Sequence, residues 1–271
     1  MPRDAVGAKG ALISADARLE RIWRQVLVAI FAIRPKFERH VFFSENGKAS
    51  VDPPCMERNF GHPDMSRARR PLQNRVDPFG ELRATPERGG LMGIRGGRLH
   101  RDDRTLMRRR WTSKRWLVCL CAFKGRRREV WGKGYSQLFF LDEPTALAAG
   151  HRPCFECRRP AAKAFLSLFR GASGGVDAMD EALHRERIES GRKRLWSARL
   201  GDLPDGAMIV RDGRAFAVRL GTLLPWSFAG YGPPAPLEPD AVADVLTPPS
   251  TVAALRGGYQ PLWPEALKAS P

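Results

Sequence analysis

The sequence is short of acid, of cysteine and of long apolar runs, and each shortage excludes something. Its longest apolar run, Val26 to Ile33, is far below the ~20 residues that span a bilayer. Glu20, Arg21 and Arg24 precede that run and no small-residue cleavage pattern follows it, which argues against a signal peptide. Five cysteines in 271 residues, most of them close together, are too few for a secreted disulfide scaffold. A cytoplasmic protein with no membrane role is the expectation. No Ser/His/Asp order, P-loop, HExxH or dinucleotide fingerprint is present. Twenty-nine Asp+Glu face 46 Lys+Arg, giving a formal charge of +17 and a pI near 10.6. A hydrophobic share of 43% is enough for a packed core.

The positive charge is concentrated. Residues 65–135 hold 20 Lys+Arg against 6 Asp+Glu, whereas residues 1–64 and 136–271 are nearly balanced. Such crowding costs self-repulsion that a polyanion relieves, so nucleic acid is the expected partner. Arg95, Arg98, Arg101, Arg126, Arg127, Arg128, Lys133 and Arg152 are the candidate phosphate contacts. Trp111, Trp116 and Trp131 interleave with arginines and could stack bases; Trp131 is the preferred stacker, and Trp116 reads better as core. Gly89, Gly90, Gly93, Gly96 and Gly97 suggest a loop whose amides approach phosphate. His100, near Asp102 and Asp103, is a candidate general base for a nuclease, although a lone loop histidine is ordinarily solvated. His184 and Glu186 read as an exposed helix face.

Residues 1–64 look like an extension outside the fold, with one helix over 17–33 and an alternative start at Met65. Residues 65–170 form the basic domain, 171–200 a linker around a helix at 177–189, and 201–271 a small β-rich domain. Trp116–Phe123 and Val130–Leu141 predict a β-hairpin turning at 124–128. Asp142 caps a helix that Gly150 stops, and Pro160 opens the next. Strands are predicted at 206–210, 214–219 and 222–224, with Asp212-Gly213 a tight turn. Residues 225–239, with five prolines, read as irregular, and 247–255 as a helix. The fold class is α+β: a small zinc-knuckle core with a hairpin and short helices, then the β-rich domain.

Cys154 and Cys157 form a CxxC between a helix end and a Pro-started helix, the setting of a zinc knuckle. Thioredoxin-like redox chemistry expects a strand before the motif, and here a helix and a glycine come first. Cys119 and Cys121, two apart in a predicted strand, would share a face and complete four thiolates; buried apolar packing is the alternative for that pair. Residues 135–158, with Phe139 to Arg158 the specific part, resemble the second half of the Ada-type zinc-binding module. That resemblance covers about 20 residues and implies a DNA-binding zinc domain with Cys154 and Cys157 as its second ligand pair. The module's first pair falls by spacing at Phe123 and Arg127, so Cys119 and Cys121 substitute only through a shifted alignment. A DNA-repair alkyl acceptor, a nuclease, or a protein-interaction module with a structural metal are the alternative functions.

Overall fold

A computed structural model describes residues 70–126, 129–169 and 174–268. The extension over 1–64, its helix and the Met65 start lie outside the described residues. Strands and helices both occur, so the α+β class holds.

The first sheet has the order β2-β1-β5-β3-β4-β6. Its strands are β1 (Arg75–Val76), β2 (Leu82–Arg83), β3 (Leu91–Ile94), β4 (Leu117–Cys119), β5 (Leu138–Phe140) and β6 (Arg152–Pro153). The expected hairpin between β4 and β5 does not form, because β3 runs between them and pairs antiparallel with both. Residues 91–94 of the glycine-rich stretch are therefore an interior strand, flanked by Gly89, Gly90, Gly96 and Gly97. Its glycines serve close packing: a Cβ on Gly93 would lie 2.4 Å from the Phe140 ring and 2.7 Å from the Leu117 carbonyl. Phe140 is fully buried and cannot yield. Gly93→Ala should therefore destabilise the protein by about 1–3 kcal/mol, read as a fall in melting temperature.

Helix α1 (Glu143–Ala148) begins as the sequence dictates, with the Asp142 carboxylate accepting from the Thr145 N–H at 2.9 Å. It stops at Gly150, whose φ of +84° only glycine adopts without strain. Helix α2 (Arg159–Leu168) carries Phe165 inward, and α3 (Gly175–Arg187) follows. The segment read as a linker thus holds a helix, the hairpin β7 (Ile188–Glu189) and β8 (Arg192–Lys193), and β9 (Trp196–Arg199), an edge strand of the second sheet.

That second sheet is antiparallel: β10 (Met208–Arg211), β11 (Arg214–Arg219), β12 (Thr222–Ser227), β13 (Gly230–Tyr231), β14 (Ala235–Pro236) and β15 (Val242–Val245) join β9. Asp212 and Gly213, both at positive φ, make the predicted β10–β11 turn. Residues 225–239, expected to be irregular, extend β12 and supply β13 and β14. The sheet's apolar runs are explained by burial on both faces. Ile209, Val218 and Leu223 face one core with Phe165, Met179 and Leu183, while Met208, Ala217 and Leu224 face another with Ala148. Helix α4 (Pro249–Arg256) adds Val252 and Leu255 to the first of these cores, and α5 (Glu265–Lys268) ends the described chain. Residues 201–268 therefore share a core with α1 and α2, and all described residues belong to one compact unit over 53–271.

Candidate metal centre

Two local features bring three cysteines together. Strand β6 pairs parallel with β4, and the Cys154 N–H donates to the Val118 carbonyl at 3.1 Å. Cys154 is thereby set beside Cys119, the last residue of β4. The chain then turns over 154–157, closed by the Arg158 N–H on the Cys154 carbonyl at 3.0 Å, and returns Cys157 to the same point. The sulfurs of Cys119, Cys154 and Cys157 lie within 4.8 Å of one another.

Cys119 and Cys154 are buried and Cys157 half-buried. Hydrogen bonds from Cys119 and then Cys157, with backbone N–H groups of the turn, hold the Cys154 thiol well below its ordinary range. Donation to Cys154 and to Cys157, followed by burial, pushes the Cys119 thiol up. The Glu156 N–H reaches the Cys154 sulfur and the Leu120 N–H the Cys157 sulfur, each at 3.4 Å. These donors favour negative charge on sulfur, and the start of α2 adds its dipole. Thiolate ligands around one ion at ~2.3 Å stand about 3.8 Å apart, so the cluster is close to what a metal requires. These three cysteines can hold a metal ion.

Cys121, expected as a fourth ligand, is not part of the cluster. Strand β4 ends at Cys119, so the alternation that would align the pair stops there. The Cys121 sulfur lies 3.4 Å from the Gly90 carbonyl, outside the cluster.

The turn is locked by the residues on either side of it. Arg152 makes two 2.7 Å bonds to Asp180 of α3. Arg158 makes two 2.6 Å bonds to Glu143 of α1, whose carboxylate also accepts from the Tyr259 hydroxyl at 2.7 Å and the Leu262 N–H at 2.8 Å. Both pairs are buried. Asp180 and Glu143 carried no signal in the sequence, since neither adjoins the CxxC and nothing local marks it as a partner of an arginine there.

The candidate nucleic-acid contacts divide. Arg152 is committed to Asp180. Arg95 is only 2% exposed and lies over Trp116, and Trp131 is 3% exposed, stacked on His100 at 5.1 Å. Arg152 and Trp131 cannot meet a nucleic acid from solvent, because each supplies core instead, and Arg95 is reached only through the cleft that it lines. His100 is equally buried, with Nδ1 at 2.6 Å from the Ser136 hydroxyl and Nε2 at 3.0 Å from the Gly132 carbonyl. It is a core residue and not an accessible base. Arg98, half-buried, pairs with Asp102, and exposed Arg126 pairs with Glu156 of the cysteine turn at 2.6 Å. Arg101 and Lys133 are exposed. Arg127 and Arg128 lie outside the described residues.

No protein-family model, curated protein or solved structure matches this chain. Among the described residues, no helix is long and apolar enough to cross a membrane.

Proposed function

We propose that this chain is a zinc-containing nucleic-acid-binding protein whose partner is DNA. The observation that carries the reading is a set of outward cations, on the loops of the first sheet, that no ion pair ties up. Arg101, Arg108, Arg109, Lys124 and Lys133 are exposed, and none has an ion-pair partner among the described residues. Exposed cations not held in ion pairs are what neutralising a phosphate backbone calls for.

Zinc is the metal that a buried thiolate cluster favours, and Cys119, Cys154 and Cys157 would hold it. Bound there, it would crosslink β4 to the turn before α2 and neutralise thiolate charge. The resemblance of residues 135–158 to the Ada-type module supports the same reading.

Reversing Arg108, Arg109 and Lys133 to Glu should weaken duplex binding alike for every sequence, because phosphate contacts position without specifying. The salt dependence should flatten by ~0.9 in log slope for each phosphate left unneutralised, with metal content unchanged. Unaltered affinity in that variant would instead favour the protein-interaction module.

A further inference from the structure

Buried guanidinium groups ordinarily sit beside carboxylates, as Arg152 and Arg158 do. Arg95 and Arg187 do not. They are 2% and 1% exposed, and their Cζ atoms lie 3.9 and 4.0 Å from the centre of one indole, that of Trp116. Every hydrogen bond they make goes to a neutral group. Arg95 donates to the His151 Nε2 at 3.3 Å and to the Gly80 carbonyl at 2.9 Å. Arg187 reaches the carbonyls of Gly150 at 3.0 Å and Lys114 at 2.8 Å, and the His184 ring at 3.1 Å. Neither has a carboxylate at ion-pair distance among the described residues. The Nε of Arg187 is buried with no hydrogen-bond partner at all.

Both arginines line a cleft of ≈ 400 Å³, counting the part open to solvent. Arg110, Arg192 and Lys193 line it too, so five cations share the lining with one carboxylate, that of exposed Glu81, while buried Asp77 and Asp180 act on Arg95, Lys193 and Arg187 from outside it. Lys193 directs its ammonium inward, onto the Ala148 carbonyl. Burial, and then the charges of Arg187 and Arg95, push Lys193 down to about 7; burial brings each arginine down to about 9. The fold has gathered like charges into low dielectric and left a donor idle. That arrangement is unfavourable by itself and becomes favourable around an anion.

We propose that this cleft binds a phosphate group, with Arg187 and Lys193 as inner donors and Arg110 and Arg192 at its mouth. Planar N–H forks match the tetrahedral oxygens of phosphate better than they match chloride. Half-buried Trp111, 5.9 Å from Trp116 and 6.0 Å from the His184 ring, also lines the cleft, where a base attached to the phosphate would stack on it. The cleft shares no residue with the cysteine cluster or with the exposed cations Arg101, Arg108, Arg109, Lys124 and Lys133. It therefore stands or falls separately from the nucleic-acid reading.

The test is calorimetric and thermal titration of the full-length protein with inorganic phosphate, against sodium chloride at matched ionic strength. Phosphate should raise the melting temperature saturably where chloride does not. Arg110→Gln and Lys193→Gln should each weaken phosphate binding by about tenfold, the effect of removing one charge-assisted bond. Arg187→Met endangers the fold, so the mouth variant Arg110→Gln keeps the test decisive. A second arm compares an oligonucleotide with and without a 5′-phosphate. Tighter binding of the phosphorylated form assigns the cleft to a nucleic-acid end, and equal binding assigns it to a free phosphate. Equal stabilisation by chloride and phosphate, or unchanged affinity in both Gln variants, would overturn the proposal.

Discussion

Cys154→Ser should strip the protein of its metal and unfold the region where β4, β6 and α2 meet. A metal that binds only the folded arrangement of Cys119, Cys154 and Cys157 adds its binding free energy to folding, on the order of 10 kcal/mol in small zinc peptides. Few domains have stability in excess of that. The expected reading is close to one zinc per wild-type chain by mass spectrometry and none in Cys154→Ser, with a collapsed thermal transition. Cys121→Ser is the control. Its sulfur is outside the cluster, so zinc should be retained there. Metal-free wild-type protein that melts as the metal-loaded protein does would end the zinc reading.

Glu143→Ala should be the most damaging substitution outside the cysteines. The Glu143 carboxylate is fully buried and takes four donors: two from Arg158, the Tyr259 hydroxyl and the Leu262 N–H. Its removal leaves the Arg158 guanidinium buried and unpaired, at a cost of about 3–5 kcal/mol. For a unit of this size that lowers the melting temperature by roughly 6–20 °C. Asp240→Ala supplies the contrast, since its pair with Arg199 is exposed on both sides and is worth under about 1 kcal/mol. Similar shifts in the two variants would show that the anchor under the cysteine turn carries no special energy.

Local chemistry was legible in the sequence, and long-range pairing was not. The Asp142 cap, the Gly150 stop, the Asp212-Gly213 turn and the CxxC before α2 each depend on a few adjacent residues, and each stands where expected. Leu91-Met92-Gly93-Ile94 has no alternation of apolar and polar residues and a glycine near its centre. Only the closeness of Gly93 to Phe140 and Leu117, both distant along the chain, reveals it as the strand that splits the expected hairpin. The same limit governs the arginines. Nothing local separates Arg95, which lies over Trp116, from Arg101, which faces water, because the difference lies in what the rest of the chain packs around them. Cys121 failed as a ligand for a related reason. The i, i+2 rule holds only while a strand continues, and β4 stops at Cys119.

Binding of nucleic acid by the exposed cations of the first sheet's loops is open to a salt titration. Fluorescence anisotropy of a labelled DNA duplex with the full-length, metal-loaded protein should give log affinity falling linearly with log salt concentration. Each neutralised phosphate contributes ~0.9 to the slope, so engagement of the five exposed cations predicts a slope of about −4 to −5. No binding by micromolar protein at low salt, to duplex or single strand, would mean that these cations are only an arginine-rich surface.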